Sequence, residues 1–257
     1  MADRQAPLTD RVALVTGATQ GIGRAIAERL ARDGATVAVN GRRRDARMDE
    51  VVAATVGVPA PADVSDRAAV QAMVKAVEAD VGTIDVLVVN HAYMTMAPLA
   101  DHDLDDWWRV VDTNLGGAFH LVQAVLPGML RAGGGRIVLL SSEWGVVGWP
   151  QATAYAASKA GLIALAKTLA RELAPQGVMV NAVAPGVVDT PQLEVDACAA
   201  GTSRQQIIRE YAAGIPMRRV GRSEEVAAAV SLLADPRMSA FVGQVLQVNG
   251  GSTRSRA

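Results

Sequence analysis

From residue 11 to residue 248, short β-branched runs alternate with longer amphipathic segments, and no Pro/Ser-rich linker or charge block interrupts them. This alternation limits the fold sharply, because each strand is followed by a segment long enough to cross over and return a parallel neighbour. Strands are expected at residues 12–16, 36–40, 85–90, 136–141, 178–184 and 244–248, with a weaker one at 58–62. Several are apolar at consecutive positions, the pattern of strands covered on both faces. Helical patterns lie between them at 23–32, 67–80, 104–130, 154–173 and 224–233. The chain therefore reads as α/β, with residues 1–257 forming a single domain built on a doubly wound parallel sheet with helices on both faces. In such sheets ligands collect beyond the carboxyl ends of the strands, so chemistry is sought just after each one.

Composition removes several functional classes. A formal net charge of -1, with both signs scattered, gives no electrostatic footprint for nucleic acid or for a membrane surface. Cys198 is the sole cysteine, which excludes an intramolecular disulfide and fits a reducing compartment. His91, His102 and His120 lack metal-ligand spacing, so no metal is expected. No apolar run approaches the roughly 18–20 residues a membrane span needs, and the polar residues 1–5 carry no leader pattern; a cytoplasmic location is expected.

Directly after the first strand stands Thr16-Gly17-Ala18-Thr19-Gln20-Gly21-Ile22-Gly23. Its glycines allow a tight turn and bring a pyrophosphate against a helix N-terminus, whose free N–H groups and dipole favour an anion. A dinucleotide follows from that context. After the second strand, where an acid would serve the ribose 2′-hydroxyl of NAD, the chain reads Asn40-Gly41-Arg42-Arg43-Arg44. One charge-assisted bond from Arg42 to a 2′-phosphate contributes on the order of 1.5–3 kcal/mol. NADP(H) is therefore favoured and NAD(H) stays open, the more so because Gln20 occupies a place where a second base would assist. Asp63, followed by Val64, reads either as an acceptor for the adenine amino group or as a surface acid.

Tyr155 and Lys159 are four residues apart at the start of a helical pattern, which sets both on one face. Lowering a phenol from a pKa near 10 to about 7 takes roughly 4 kcal/mol, and the Lys159 ammonium together with an oxidised nicotinamide are the sources at hand. Ser142, at the carboxyl end of the 136–141 strand, is placed to hold a substrate oxygen beside the phenol. Asn114 precedes Gly116-Gly117, a pair able to loosen the helix and free a backbone carbonyl.

Together these motifs resemble the classical short-chain dehydrogenase/reductase family, over about residues 8 to 252. The resemblance rests on the glycine loop, Asn114, Ser142, Tyr155-x-x-x-Lys159, and Pro185-Gly186 followed by Thr190. It implies a Rossmann-like fold and a tetrad in which Lys159 binds the nicotinamide ribose and depresses the pKa of Tyr155, Ser142 orients the carbonyl, and Asn114 anchors a relay water. It also implies cofactor contacts from Asn90, from the Val188 backbone and from the Thr190 hydroxyl, and a homo-oligomer, in this family a tetramer. The 154–173 pattern, small or apolar around most of its circumference, independently suggests a helix-to-helix interface. One departure stands out: Asn90-His91-Ala92-Tyr93 places Tyr93 where the family carries a glycine. His91 reads as a histidine satisfied at the strand end.

Aromatic residues are few, four Trp, three Tyr and two Phe, yet Tyr93, Trp144, Trp149 and Tyr155 follow strand ends and Tyr211 lies in the 189–216 segment. That segment reads as a cover over a bulky apolar substrate, with Gln192 and Leu193 lining it. Glu143 reads either as a contact to a substrate hydroxyl or amine, or as a salt-bridged loop acid. The expected reaction is hydride transfer between nicotinamide and a small-molecule ketone or secondary alcohol. The alternatives are a 3-oxoacyl thioester reductase, against which the cation-free 174–177 turn counts, and a non-catalytic NADPH-binding sensor. A sugar-nucleotide epimerase or dehydratase is a further rival, disfavoured because such relatives carry a separate substrate domain.

Overall fold

The computed structural model describes residues 6–253, and the polar 1–5 stretch, expected to carry no leader pattern, lies outside them. The first half contains β1 (Val12–Val15), α1 (Gly21–Arg32), β2 (Thr36–Gly41), α2 (Ala46–Thr55), β3 (Val58–Pro61), α3 (Arg67–Val81) and β4 (Ile84–Val89). The second half continues with α4 (Leu104–Val111), α5 (Gly117–Arg131), β5 (Gly135–Leu140), α6 (Trp144–Val147), α7 (Thr153–Leu173) and β6 (Val178–Pro185). It ends with β7 (Val188–Asp189), α8 (Gln192–Ala199), α9 (Arg204–Gly214), β8 (Gly221–Arg222), α10 (Ser223–Ala234) and β9 (Val245–Val248).

Seven strands form one parallel sheet in the order β3-β2-β1-β4-β5-β6-β9. From β1 the chain builds outward to β3, then returns to β4 and builds the other way. The reversal falls between β1 and β4, and the crevice at such a switch point is where a doubly wound sheet binds its ligand. Successive strand side chains enter opposite cores. Leu14, Leu87 and Ile137 pack with Leu121 and Leu162 on one face, while Val15, Val88 and Val138 pack with Ile26, Leu30 and Val230 on the other. This two-sided burial is why β1 reads Val-Ala-Leu-Val with no polar alternate.

Three features differ from the sequence reading. The 104–130 pattern is not one helix: a π-helical turn, Asp112–Gly116, separates α4 from α5. Gly116 and Gly117 permit the wider turn, and the Asn114 side chain is drawn into hydrogen bonds outside the helix. Helices α2 and α8 carry no strong apolar stripe, burying only Met48, Val51 and Thr55 in one and Leu193 and Ala197 in the other. The two-residue ladder of β7 with β8 is too short to leave a period in the sequence. Among the described residues no helix is long and apolar enough to cross a membrane.

Candidate active site

Side chains of Asp45, Asp66 and Asp103 cap α2, α3 and α4. Helix α1 differs: its N-cap, Gln20, makes no side-chain cap and the first turn holds no acid. Its leading N–H groups are left for an anion. Gly17 and Gly21 take φ of +58° and +53°, a region closed to most side chains. A Cβ on Gly23 would lie 2.1 Å from the Gly17 carbonyl oxygen and 2.5 Å from Asn90 Nδ2. Asn90 Nδ2 donates to the carbonyls of Thr16 and Gly17, both at 3.1 Å, so the end of β4 braces the glycine turn.

This turn opens on a groove of about 1280 Å³. Gly17, Thr19, Gln20, Gly21, Ile22, Gly23, Gly41, Arg42, Asp63, Val64, Asn90, Tyr93, Thr190 and Gln192 line it. On the β2 side Arg43 and Arg47 join Arg42 in the lining. Arg47 donates to Gln20 Oε1 at 2.9 Å, so a base from α2 reaches the glycine turn where the turn itself has none. Asp45, the carboxylate nearest this end in sequence, is turned to accept the Met48 N–H at 3.0 Å. That bond and the Arg47 charge hold its carboxyl below the usual range. Arg44 pairs with Asp49, whereas among the described residues Arg42 and Arg43 have no ion-pair partner. Asp63 keeps its groove position, but its Oδ1 accepts the Ser65 hydroxyl and N–H, which hold its carboxyl low.

The four residues read as catalytic are not in the groove lining; Asn114 reaches it through Tyr93, which lines it. Asn114 is fully buried; its Oδ1 accepts the Tyr93 N–H at 2.7 Å, and its Nδ2 donates to the Tyr93 carbonyl and the Ser158 hydroxyl, both at 3.0 Å. The Ser158 hydroxyl donates to the Tyr155 carbonyl at 2.8 Å, which ties the π-turn to the first turn of α7. The Ser142 hydroxyl oxygen accepts the Trp144 N–H at 3.1 Å, and the hydroxyl lies near enough to the Tyr155 phenol to lower its pKa. Lys159 is 2 % exposed and donates to the Leu140 carbonyl at 2.7 Å, with its ammonium 5.6 Å from the centre of the Tyr155 ring. Burial lowers Lys159 to about 8. It raises Tyr155 to about 12, opposed by the Ser142 hydrogen bond. The expected depression of the tyrosine is thus absent from the protein alone: desolvation of the phenolate outweighs what Ser142 returns.

His91 is satisfied from both sides. Its Nε2 lies 2.9 Å from the Thr113 carbonyl, which only accepts, so Nε2 carries the proton and Nδ1 accepts from the Thr16 hydroxyl at 2.9 Å. Burial, then the Lys159 charge, lower it to about 4. The ring is therefore neutral and braces the end of β4 against the π-turn.

The family model described as Enoyl-(Acyl carrier protein) reductase matches residues 17–253. The chain belongs to the short-chain dehydrogenase/reductase family. Nodulation protein G of Azospirillum brasilense is 39% identical over 253 residues, covering 95% of this chain and 98% of that protein. The 3-oxoacyl-(acyl-carrier-protein) reductase FabG of Thermotoga maritima is 39% identical, covering 95% and 98%. Its namesake from Staphylococcus aureus strain Mu50 is 41% identical, covering 93% and 96%. The protein is accordingly an NAD(P)-dependent oxidoreductase acting on a carbonyl or alcohol, with a Rossmann-like fold.

Several of the residues expected on the substrate or cofactor side lie off this groove or are engaged elsewhere. Leu193 is 2 % exposed and absent from the groove wall, because the face of α8 that carries it packs inward; Gln192 and Val195 face the groove instead. Among the described residues Glu143 has no ion-pair partner, and it does not line the groove: it is 6 % exposed, accepts the Ser252 hydroxyl, and is raised by burial. Pro185 ends β6 and Val188 lies in the short ladder with Gly221, both beyond the groove lining, and the Gly186 N–H donates to Val248 at 3.0 Å. Trp149 stacks on Trp144 at 5.0 Å with planes 5° apart, and Trp144 meets the Tyr155 ring edge-on at 5.8 Å. Tyr93 turns its hydroxyl to Asp106 at 3.2 Å and its face to the Arg109 guanidinium at 4.5 Å, so the side chain that replaces the family glycine is held by its own partners. Tyr211 bonds Asp196 and so ties α9 to α8.

The sequence reading missed Arg47 and Ser158, and held Arg43 only as part of the basic run after β2. Asp45, an N-cap residue followed two positions later by Arg47, was the available signal for α2 and its base.

An ammonium at about 8 gives a pH prediction for turnover. If Lys159 works as a cation, kcat/KM falls as pH rises through about 8, because the charged form is lost there. A pH-rate profile of the free enzyme checks this, and a Lys159→Arg variant moves the fall to higher pH.

Proposed function

We propose that the protein is an NADPH-dependent ketoreductase for bulky, apolar ketones, with Tyr155 as general acid in reduction and general base in reverse. The meeting of Ser142, Tyr155 and Lys159 beside a groove lined by arginines carries this reading. The residues present fit the cofactor: a glycine cradle that a Cβ would fill, an uncapped helix N-terminus, and Arg42, Arg43 and Arg47 where a 2′-phosphate would lie. The cofactor supplies the hydride that the carbonyl carbon accepts. Everything else belongs to side chains of this chain. A phenol at about 12 is fully protonated at neutral pH, so the resting protein holds the acid that a nascent alkoxide needs. The Ser142 hydroxyl orients the carbonyl oxygen, and the Lys159 ammonium offsets the charge left on Tyr155. The Asn114 side chain holds the 93 strand-end backbone in place; a relay water would have to use a backbone group of the π-turn, since the amide is committed.

The stacked pair of Trp144 and Trp149 supports a bulky apolar substrate, Trp149 being 45% exposed. The names of the relatives support a second reading, reduction of a 3-oxoacyl thioester. The 174–177 turn, where Gln176 is bonded to Glu172, still offers no cation to an acidic carrier. Comparing kcat/KM for free aryl and alicyclic ketones with that for acetoacetyl-CoA decides between the two, and turnover of neither with tight NADPH binding leaves the sensor. Exposed Leu104, Trp108 and Phe119 on α4 and α5 support a homo-oligomer, which sedimentation showing a monomer would refute.

The cofactor preference has its own test. Arg42→Ala should weaken NADPH binding by about 10- to 150-fold, the worth of one charge-assisted bond, while NADH affinity holds within about twofold. Equal losses for both cofactors in a fluorescence titration would reject a phosphate contact.

A further inference from the structure

Strands β5, β6 and β9 are neighbours in the sheet, and the segments that follow them converge on one buried carboxylate. Glu143 follows Ser142 directly, and its own N–H donates to the Pro185 carbonyl at 2.9 Å. Its side chain turns inward, where Oε2 accepts the Ser252 hydroxyl. Gly186 makes room for this: a Cβ there would lie 2.9 Å from Asn249 and 3.2 Å from Glu143 Oε2. Asn249 in turn accepts the Gly251 N–H at 3.0 Å and donates to the Thr253 hydroxyl at 2.7 Å, which folds the segment after β9 into a turn presenting Ser252. Among the described residues no cation lies within ion-pair distance of Glu143. A buried carboxylate costs desolvation unless it is hydrogen-bonded, and here the Ser252 hydroxyl supplies that bond.

We propose that Glu143 is a positioning residue that fastens the 249–253 segment to the catalytic serine loop, so that the set of Ser142 against Tyr155 depends on a hydrogen bond made at the far end of the chain. A chain segment remote in sequence thus becomes part of the active-site frame. Because the Glu143 N–H also engages Pro185, loosening the carboxylate frees the loops after β5 and β6 together.

The proposal rests on the catalytic role given to Ser142, but its first test does not. Amide hydrogen exchange on the full-length protein should show residues 141–145 and 249–252 protected together. In Glu143→Ala and, from the other side, in Ser252→Ala, both stretches should exchange about tenfold faster, the worth of one hydrogen bond, while Glu143→Gln, which keeps an acceptor, restores both. NADPH affinity should stay within about twofold in all three. With whichever of the ketones or acetoacetyl-CoA is turned over, kcat should fall about tenfold in the two alanine variants with KM for NADPH unchanged. Faster exchange confined to 249–252, or Glu143→Gln behaving like Glu143→Ala, would overturn the coupling. Coupled exchange with no loss of kcat would overturn the positioning role and leave only a structural tie.

Discussion

Tyr155→Phe should lower kcat/KM for ketone reduction by about 1,000-fold, within the range a positioned general acid contributes, while NADPH binds with affinity changed by no more than about twofold. The ring that packs edge-on against Trp144 is retained, so the variant removes a proton and little else. Ser142 and Lys159 remain in place but neither replaces the lost acid: the serine is far weaker, and the lysine is engaged with the Leu140 carbonyl. Stopped-flow measurement of NADPH oxidation, with fluorescence titration as the binding control, reads both quantities. Retention of turnover within about tenfold would move the proton donor elsewhere.

Gly23→Ala should cost the second largest effect, on binding and not chemistry. The new methyl would stand 2.1 Å from the Gly17 carbonyl oxygen, and backbone rather than a flexible side-chain end must yield. Opening the turn withdraws N–H groups from the anion site, and losing one or two charge-assisted bonds of about 1.5–3 kcal/mol weakens NADPH by about 100-fold or more. The overpacking itself costs about 1–3 kcal/mol, a few degrees in melting temperature for a chain of this size. Gly214→Ala, where a Cβ meets nothing within 4 Å, should leave both NADPH affinity and melting temperature nearly unchanged.

The sequence carried the sheet well because its strands are buried on both faces: continuous runs such as Val12–Val15 cannot be mistaken for amphipathic surface. The glycine loop was legible for the same kind of reason, since Gly17, Gly21 and Gly23 answer to φ and close approach that few other residues tolerate. Helix α2 was not legible, because its small buried face leaves little period, and with it Arg47 was lost. Glu143 was read from its neighbours in sequence as a substrate contact or an ion pair, whereas its partner, Ser252, is brought to it by the order of β5, β6 and β9. Pairings set by sheet order leave no local trace. Electrostatics behaved likewise: the lysine four residues from Tyr155 suggested a lowered phenol, but burial of the phenol raises it.

The most direct test of NADPH-dependent ketone reduction is a parallel measurement of NADPH and NADH oxidation by the purified protein with a panel of bulky apolar ketones. Ketone-dependent oxidation of NADPH is expected at a kcat/KM at least about tenfold above that with NADH, consistent with one or more arginine contacts to the 2′-phosphate. Tight NADPH binding with no oxidation by any ketone, or an equal or greater rate with NADH, would contradict it.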